Sequence, residues 1–112
     1  MTCDPRHALS EKDGALCIEQ VPLNQIASQF GTPCYVYSAA TLRTQYQQLA
    51  QALSPINARI HYSVKANSNL SILALFKDLG AGFDIVSGGE LSRVLTVGGD
   101  PADVIFSGVG KS

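Results

Sequence analysis

The sequence lacks an excess of charge of either sign. Its 112 residues include 8 Lys and Arg and 9 Asp and Glu, which give a formal net charge of -1 at pH 7. Nucleic acid and anionic membranes are bound by clustered basic residues, and a nearly neutral chain offers no such footprint. We therefore expect neither nucleic acid nor a membrane among the partners of this protein.

Long apolar runs and paired cysteines are also absent. No stretch approaches the roughly 20 apolar residues of a membrane helix, and the opening stretch MTCDPRHALSEKDG lacks the apolar core of a secretory signal. Cys3, Cys17 and Cys34 are odd in number and form no Cys-x-x-Cys pair, which disfavours a disulfide framework or a zinc site. These absences predict a soluble cytoplasmic protein without a bound metal.

What is present is a pattern of strands that alternate with helices. Hydrophobic residues make up 46% of the chain, as in a globular domain. A short strand at 15–18 and a helix that begins at Pro22 come first. The main strands are then predicted at 34–38, 58–67, 82–86 and 104–107, with a helix after each of the first three. Such alternation predicts a parallel α/β sheet.

Two parallel architectures compete for this pattern. The stretch ARIHYSVKAN, residues 58–67, alternates apolar and polar residues, so only one face of the predicted strand is apolar. Strands of an open doubly wound sheet are covered on both faces and are apolar throughout, whereas the inner face of a barrel can turn polar near the catalytic rim. We therefore predict the N-terminal half of a (β/α)8 barrel.

The barrel prediction also fixes the expected domains. A complete (β/α)8 barrel takes about 250 residues, so this chain holds about half of one. We expect an N-terminal segment over residues 1–30 and the first part of the barrel over residues 31–112, cut after about its fourth strand.

The polar face of the second main strand carries a lysine. Lys65 is predicted to face the barrel interior at the carboxyl end of its strand, where barrel active sites lie, with Ser63 and Asn67 beside it. Asp84 has the equivalent face on the next strand and is expected within ion-pairing reach. A desolvated amine at this place is suited to imine chemistry with a carbonyl. A structural Lys–Asp pair explains the same pattern equally well.

Three motifs resemble one enzyme family. They are YSVKAN at 62–67, GAGFDIVSGGEL at 80–91 and IFSGVGKS at 105–112. In this order they are similar to the N-terminal barrel half of diaminopimelate decarboxylases. These are pyridoxal-phosphate enzymes of the alanine racemase-like fold, related to ornithine and arginine decarboxylases. The resemblance covers the chain from Gly31 to Ser112.

The resemblance implies a cofactor and a reaction. Lys65 would bind pyridoxal 5'-phosphate as a Schiff base, and Asp84 would lie near the lysine and the cofactor and help to set their charge state. The implied reaction is the decarboxylation of an amino acid, meso-diaminopimelate, to L-lysine, and the full-length protein would be a homodimer. The phosphate cradle, the acidic partner of the pyridine nitrogen and the arginine for the substrate carboxylate cannot be assigned in this chain. We therefore expect the chain alone to be inactive.

Several alternatives stay open. Another barrel decarboxylase of the ornithine or arginine type, a racemase of the same fold, or a non-catalytic pyridoxal-phosphate homeostasis protein would share part of this pattern. The ending GVGKS resembles a phosphate-binding P-loop, but that motif requires a glycine where Ile105 stands. The stretch Ser87-Gly-Gly-Glu90 could cradle an anion, although it also fits a helix-capping box, which we favour.

Overall fold

The computed structural model describes residues 8–108. Their elements are β1 (Leu9–Lys12), β2 (Ala15–Ile18), β3 (Val21–Pro22), α1 (Leu23–Phe30), α2 (Ala39–Leu53), β4 (His61–Ser63), α3 (Leu70–Leu79), β5 (Gly82–Ile85), α4 (Gly88–Thr96) and β6 (Val104–Phe106). Cys3 and the last four residues of the third motif lie outside the described residues. None of the helices within residues 8–108 is long and apolar enough to cross a membrane.

The chain divides into two compact units, with the boundary between Gln47 and Gln48 inside α2. The first unit contains an antiparallel sheet in the order β1-β2-β3. β1 and β2 are joined by Asp13 and Gly14, which have φ angles of 54° and 80°, as in the two-residue hairpin turns that Asp-Gly favours. The structure confirms the predicted strand at 15–18 and the helix after Pro22. The hairpin is an addition to the predicted elements.

The strand predicted at 34–38 was wrong. These residues belong to no strand in the structure, and Tyr35 and Tyr37 are 91% and 53% exposed. Their β-rich composition suits a pleated, half-buried surface, but a strand also needs a neighbour whose backbone and side chains pair with it. Ser38 does begin α2 as predicted, because its Oγ accepts a hydrogen bond from the N–H of Thr41 at 3.1 Å.

The second unit contains a parallel sheet in which consecutive strands are neighbours. Its order is β4-β5-β6, and α3 and α4 form the two crossover connections. His61 pairs with Gly82, and Phe83 pairs with Val104. A (β/α)8 barrel has this unreversed order, whereas a doubly wound sheet reverses its order at a switch point. The topology therefore agrees with the predicted barrel.

One face of this parallel sheet forms the core of the second unit. The buried side chains that define it come from β5, α3 and α4, and include Phe83, Ile85, Leu73, Phe76 and Val94. Tyr62 of β4 extends this layer, since its ring stacks on Phe76 with centroids 4.4 Å apart. Side chains alternate along a strand, so Ser63 and Asp84 project to the opposite face. The predicted separation into an apolar and a polar face is therefore present.

Candidate active site

The carboxyl ends of β4, β5 and β6 lie side by side at one edge of the sheet. Ser63 is in register with Asp84, and Asp84 is in register with Ile105. The residues that follow these positions, Lys65 and Ser107 among them, therefore emerge at the same edge. Parallel α/β proteins place their active sites at this edge, because the loops after the strands converge there.

Lys65 lies at the predicted edge but not within a strand. β4 ends at Ser63, and Lys65 is the middle residue of a one-turn 3-10 helix, Val64–Ala66. The N–H of Asn67 closes this turn by donating to the carbonyl of Val64 at 3.1 Å. Val64 is fully buried, whereas Lys65 is exposed. The predicted continuation of the strand through residues 64–67 was wrong, because a backbone turn bond leaves no trace in side-chain alternation.

Asp84 is half-buried on the polar face of the sheet, between two buried neighbours on β5. The hydroxyl of Ser107 donates a hydrogen bond to Asp84 Oδ1 at 2.6 Å, a short distance that is typical of a charge-assisted bond. Within residues 8–108 the salt bridges are Arg59–Asp103 and Lys77–Asp78. The ion pair expected between Lys65 and Asp84 is therefore not formed there, and the roles of the two residues stay predictions.

Ser107 lies at this edge and contacts Asp84, and the sequence analysis did not single it out. It follows Ile105 by two positions and so shares its face, and Ile105 is the register partner of Asp84. A signal was available, since the predicted fourth strand contained both residues. The register that brings Asp84 and Ser107 together, 23 positions apart in the chain, could not be predicted from the sequence.

The loop after β5 is a helix cap, as the sequence predicts. Ser87 Oγ accepts a hydrogen bond from the N–H of Glu90 at 3.1 Å, and Glu90 Oε1 accepts one from the N–H of Val86 at 2.8 Å. The second bond reaches one residue before the cap, but the arrangement is otherwise a capping box. The capping interpretation is confirmed, and the motif needs no bound anion to account for its residues.

The side chains at this edge fit a carbonyl cofactor that is held by an amine. In the part of the chain that the structure describes, the Lys65 amine is exposed and takes part in no ion pair. The desolvated environment predicted for this amine is therefore not present within residues 8–108, because Lys65 is exposed there. An accessible primary amine can still condense with an aldehyde to form an imine. Asp84 and Ser107 add a negative charge and a hydroxyl at the neighbouring strand ends. The same part of the chain contains no cluster of three or more His, Cys, Asp or Glu residues that could hold a metal ion.

Comparison with known families identifies the class of protein. Residues 39–112 match the family described as pyridoxal-dependent decarboxylase, pyridoxal binding domain. This match covers well over half of the chain and includes Lys65, Asp84 and Ser107. The chain belongs to this family.

Two curated relatives with high sequence identity have a more specific description than the family. The diaminopimelate decarboxylase of Pseudomonas aeruginosa is 55% identical over 103 residues, which are 92% of this chain and 25% of the relative. That of Vibrio cholerae is 54% identical over 102 residues, or 91% of this chain and 24% of the relative. The chain thus spans about a quarter of the length of the curated relatives it matches.

Solved structures agree with the fold. AQ1208 from Aquifex aeolicus has a TM-score of 0.89 at 42% identity, over 96% of this chain and 27% of that chain. The diaminopimelate decarboxylase of M. jannaschii, also solved in complex with L-lysine, has a TM-score of 0.89 at 31% identity, over 96% and 26%. The predicted fold, the N-terminal part of an alanine racemase-like (β/α)8 barrel, is confirmed.

Proposed function

We propose that this chain is the N-terminal, cofactor-binding part of a pyridoxal-phosphate enzyme that decarboxylates meso-diaminopimelate to L-lysine. The observation that carries the proposal is the exposed amine of Lys65 at the carboxyl end of β4, in a chain of the pyridoxal-dependent decarboxylase family. The substrate is supported by 55% identity to the diaminopimelate decarboxylase of Pseudomonas aeruginosa. The L-lysine complex of the M. jannaschii relative supports the product.

We assign different roles to the residues at the sheet edge. When bound, pyridoxal phosphate supplies an electron sink for the bond between Cα and the departing carboxylate. Lys65 is the residue that would hold the cofactor, through its amine. Asp84, whose carboxylate accepts a hydrogen bond from the Ser107 hydroxyl, would supply a carboxylate at the neighbouring strand end.

The proposal is tested by turnover of the full-length protein. We expect release of L-lysine and carbon dioxide from meso-diaminopimelate that depends on added pyridoxal phosphate. Lys65→Ala should lower kcat by at least about 1,000-fold, as losses of covalent catalysts do. Lys77→Ala is the matched control, since Lys77 lies on α3 and pairs with Asp78; its kcat should stay at the wild-type value.

The same assay separates the alternatives. If the protein turned over L-ornithine or L-arginine in preference to diaminopimelate, it would be a decarboxylase of the ornithine or arginine type. Racemisation of an amino acid without loss of carbon dioxide would indicate a racemase. Cofactor binding at Lys65 without turnover of any amino acid would indicate a homeostasis protein. The 112-residue chain alone should give no product, because it spans about a quarter of its relatives.

We further propose a homodimer in the cytoplasm for the full-length protein. The homodimer rests on the family resemblance and is checked by sedimentation of the purified holoenzyme. The cytoplasmic location is supported by the unpaired state of Cys17 and Cys34, which are free thiols, since oxidising compartments favour disulfides.

A further inference from the structure

The turn that carries Lys65 is spanned by a side chain from the preceding strand. The hydroxyl of Tyr62 donates a hydrogen bond to the backbone carbonyl of Asn67 at 2.8 Å. Tyr62 belongs to β4, and Asn67 is the first residue after the 3-10 turn Val64–Ala66. This bond therefore ties the entrance of the turn to its exit, with Lys65 between the two ends.

The ring of Tyr62 is itself fixed by the core. It stacks on Phe76 of α3, with centroids 4.4 Å apart and an angle of 21° between the ring planes. Phe76 is only 9% exposed, so the surface on which Tyr62 rests is part of the packed interior. Because the Tyr62 side chain has only two rotatable torsions, packing of its ring also fixes the position of its hydroxyl.

Further contacts hold the residues that follow the turn. Asn67 Oδ1 accepts a hydrogen bond from the N–H of Asn69 at 3.0 Å, which forms an Asx turn. Asn69 Oδ1 in turn accepts from the N–H of Ser71 at 2.9 Å and caps α3. Arg93 of α4 donates from Nη1 to the carbonyl of Ser68 at 3.2 Å. The loop is thus tied to its own strand, to the helix that it starts and to the next helix.

We infer that Tyr62 is a positioning residue, whose hydroxyl fixes the backbone turn from which Lys65 reaches the cofactor. The inference rests on the proposed role of Lys65. A lysine side chain is long and flexible, whereas attack on a carbonyl needs the reacting atoms held about 3–3.5 Å apart. When the backbone of Lys65 is held in one conformation, its amine samples a smaller volume. A merely core-filling tyrosine would need its ring but not its hydroxyl, and the two roles are separable by experiment.

Tyr62→Phe in the full-length protein keeps the stacked ring and removes the hydroxyl. Hydrogen exchange of the cofactor-free protein should show the amides of Asn67 and Asn69 exchanging about two- to tenfold faster, the factor that loss of one hydrogen bond gives. Amides of α2 should be unaffected. Tyr35→Phe is the matched control, because Tyr35 is 91% exposed; its exchange pattern should equal that of the wild type.

The functional consequence is measured on the same variants. The rate at which cofactor-free protein captures pyridoxal phosphate, followed by cofactor absorbance, should fall about tenfold in Tyr62→Phe, and kcat should fall with it, since the lysine is no longer aligned. The KM for diaminopimelate should stay within about twofold, because a lost alignment acts on the chemical step. Arg93→Gln, which removes the bond to Ser68 without touching the ring, should slow capture in the same direction.

The outcomes decide between the roles. Unchanged hydrogen exchange at residues 64–69 in Tyr62→Phe would show that the Tyr62 hydroxyl does not hold the turn. Faster exchange with unchanged capture and kcat would make the contact purely structural and overturn the positioning role. Capture of pyridoxal phosphate by Lys65→Ala at the wild-type rate would instead refute the proposed function. The hydrogen-exchange data would still test, independently, whether the Tyr62 hydroxyl holds the turn.

Discussion

At the scale of single residues, strand alternation places the polar groups of the candidate site. Asp84 faces away from the core because its neighbours Phe83 and Ile85, at 1% and 2% exposure, fill it. This much could be predicted from the sequence. The bond from Ser107 to Asp84 could not, because it joins strands whose register is set by the packing of the whole sheet.

Removal of the Ser107 hydroxyl tests whether it holds Asp84 for the cofactor. Ser107→Ala should weaken the affinity of the full-length, cofactor-free protein for pyridoxal phosphate by about tenfold, the scale of one hydrogen bond to a charged group. Ser107→Thr retains a hydroxyl and should restore most of the affinity. Equilibrium titration followed by cofactor absorbance gives both values. Equal affinity of Ser107→Ala and the wild type would show that Asp84 needs no such support.

At the scale of elements, helix boundaries could be predicted because their signals are local. α2, α3 and α4 begin after Ser38, Asn69 and Ser87, and each of these side chains accepts a hydrogen bond from a backbone N–H of the first turn. Gly80, with φ at 97°, ends α3 as expected of a left-handed cap. Each of these signals lies within a few residues of the boundary that it marks.

The strands were predicted less well, because their partners lie far away in the sequence. The stretch 34–38 has strand composition but no partner strand among residues 8–108, and the predicted strand at 58–67 shortens to His61–Ser63. The hairpin between β1 and β2 is the exception, since Asp13-Gly14 is a local turn signal that was overlooked. Propensity thus located sheet-forming segments but did not define which residues pair.

Loss of the cap on α4 should have a defined cost. Ser87→Ala leaves the N–H of Glu90 without its acceptor and should lower the free energy of unfolding by about 1 kcal/mol. Ser92→Ala, in the interior of the same helix, is the control and should be neutral or slightly stabilising because alanine favours helices. Urea denaturation of the full-length variants measures both. Equal destabilisation by the two substitutions would contradict the capping role.

At the scale of the whole molecule, the described parallel sheet is part of a barrel wall. β4 and β6 are its outer strands, whereas a closed barrel leaves no strand without two neighbours. Within residues 8–108, the sheet is therefore open at both of its edge strands. The chain spans about a quarter of the curated relatives it matches, and the phosphate cradle and substrate-carboxylate arginine that the resemblance implies could not be assigned from its sequence.

The proposed function depends on the amine of Lys65 as the attachment point of the cofactor. Borohydride reduction of the full-length holoenzyme makes that linkage permanent, and digestion followed by mass spectrometry locates it. We expect a reduced pyridoxyl group on the peptide that contains Tyr62–Asn67, at Lys65, with the peptides of Lys12 and Lys77 unmodified. A label on any other lysine, or equal labelling of a Lys65→Arg variant, would contradict it.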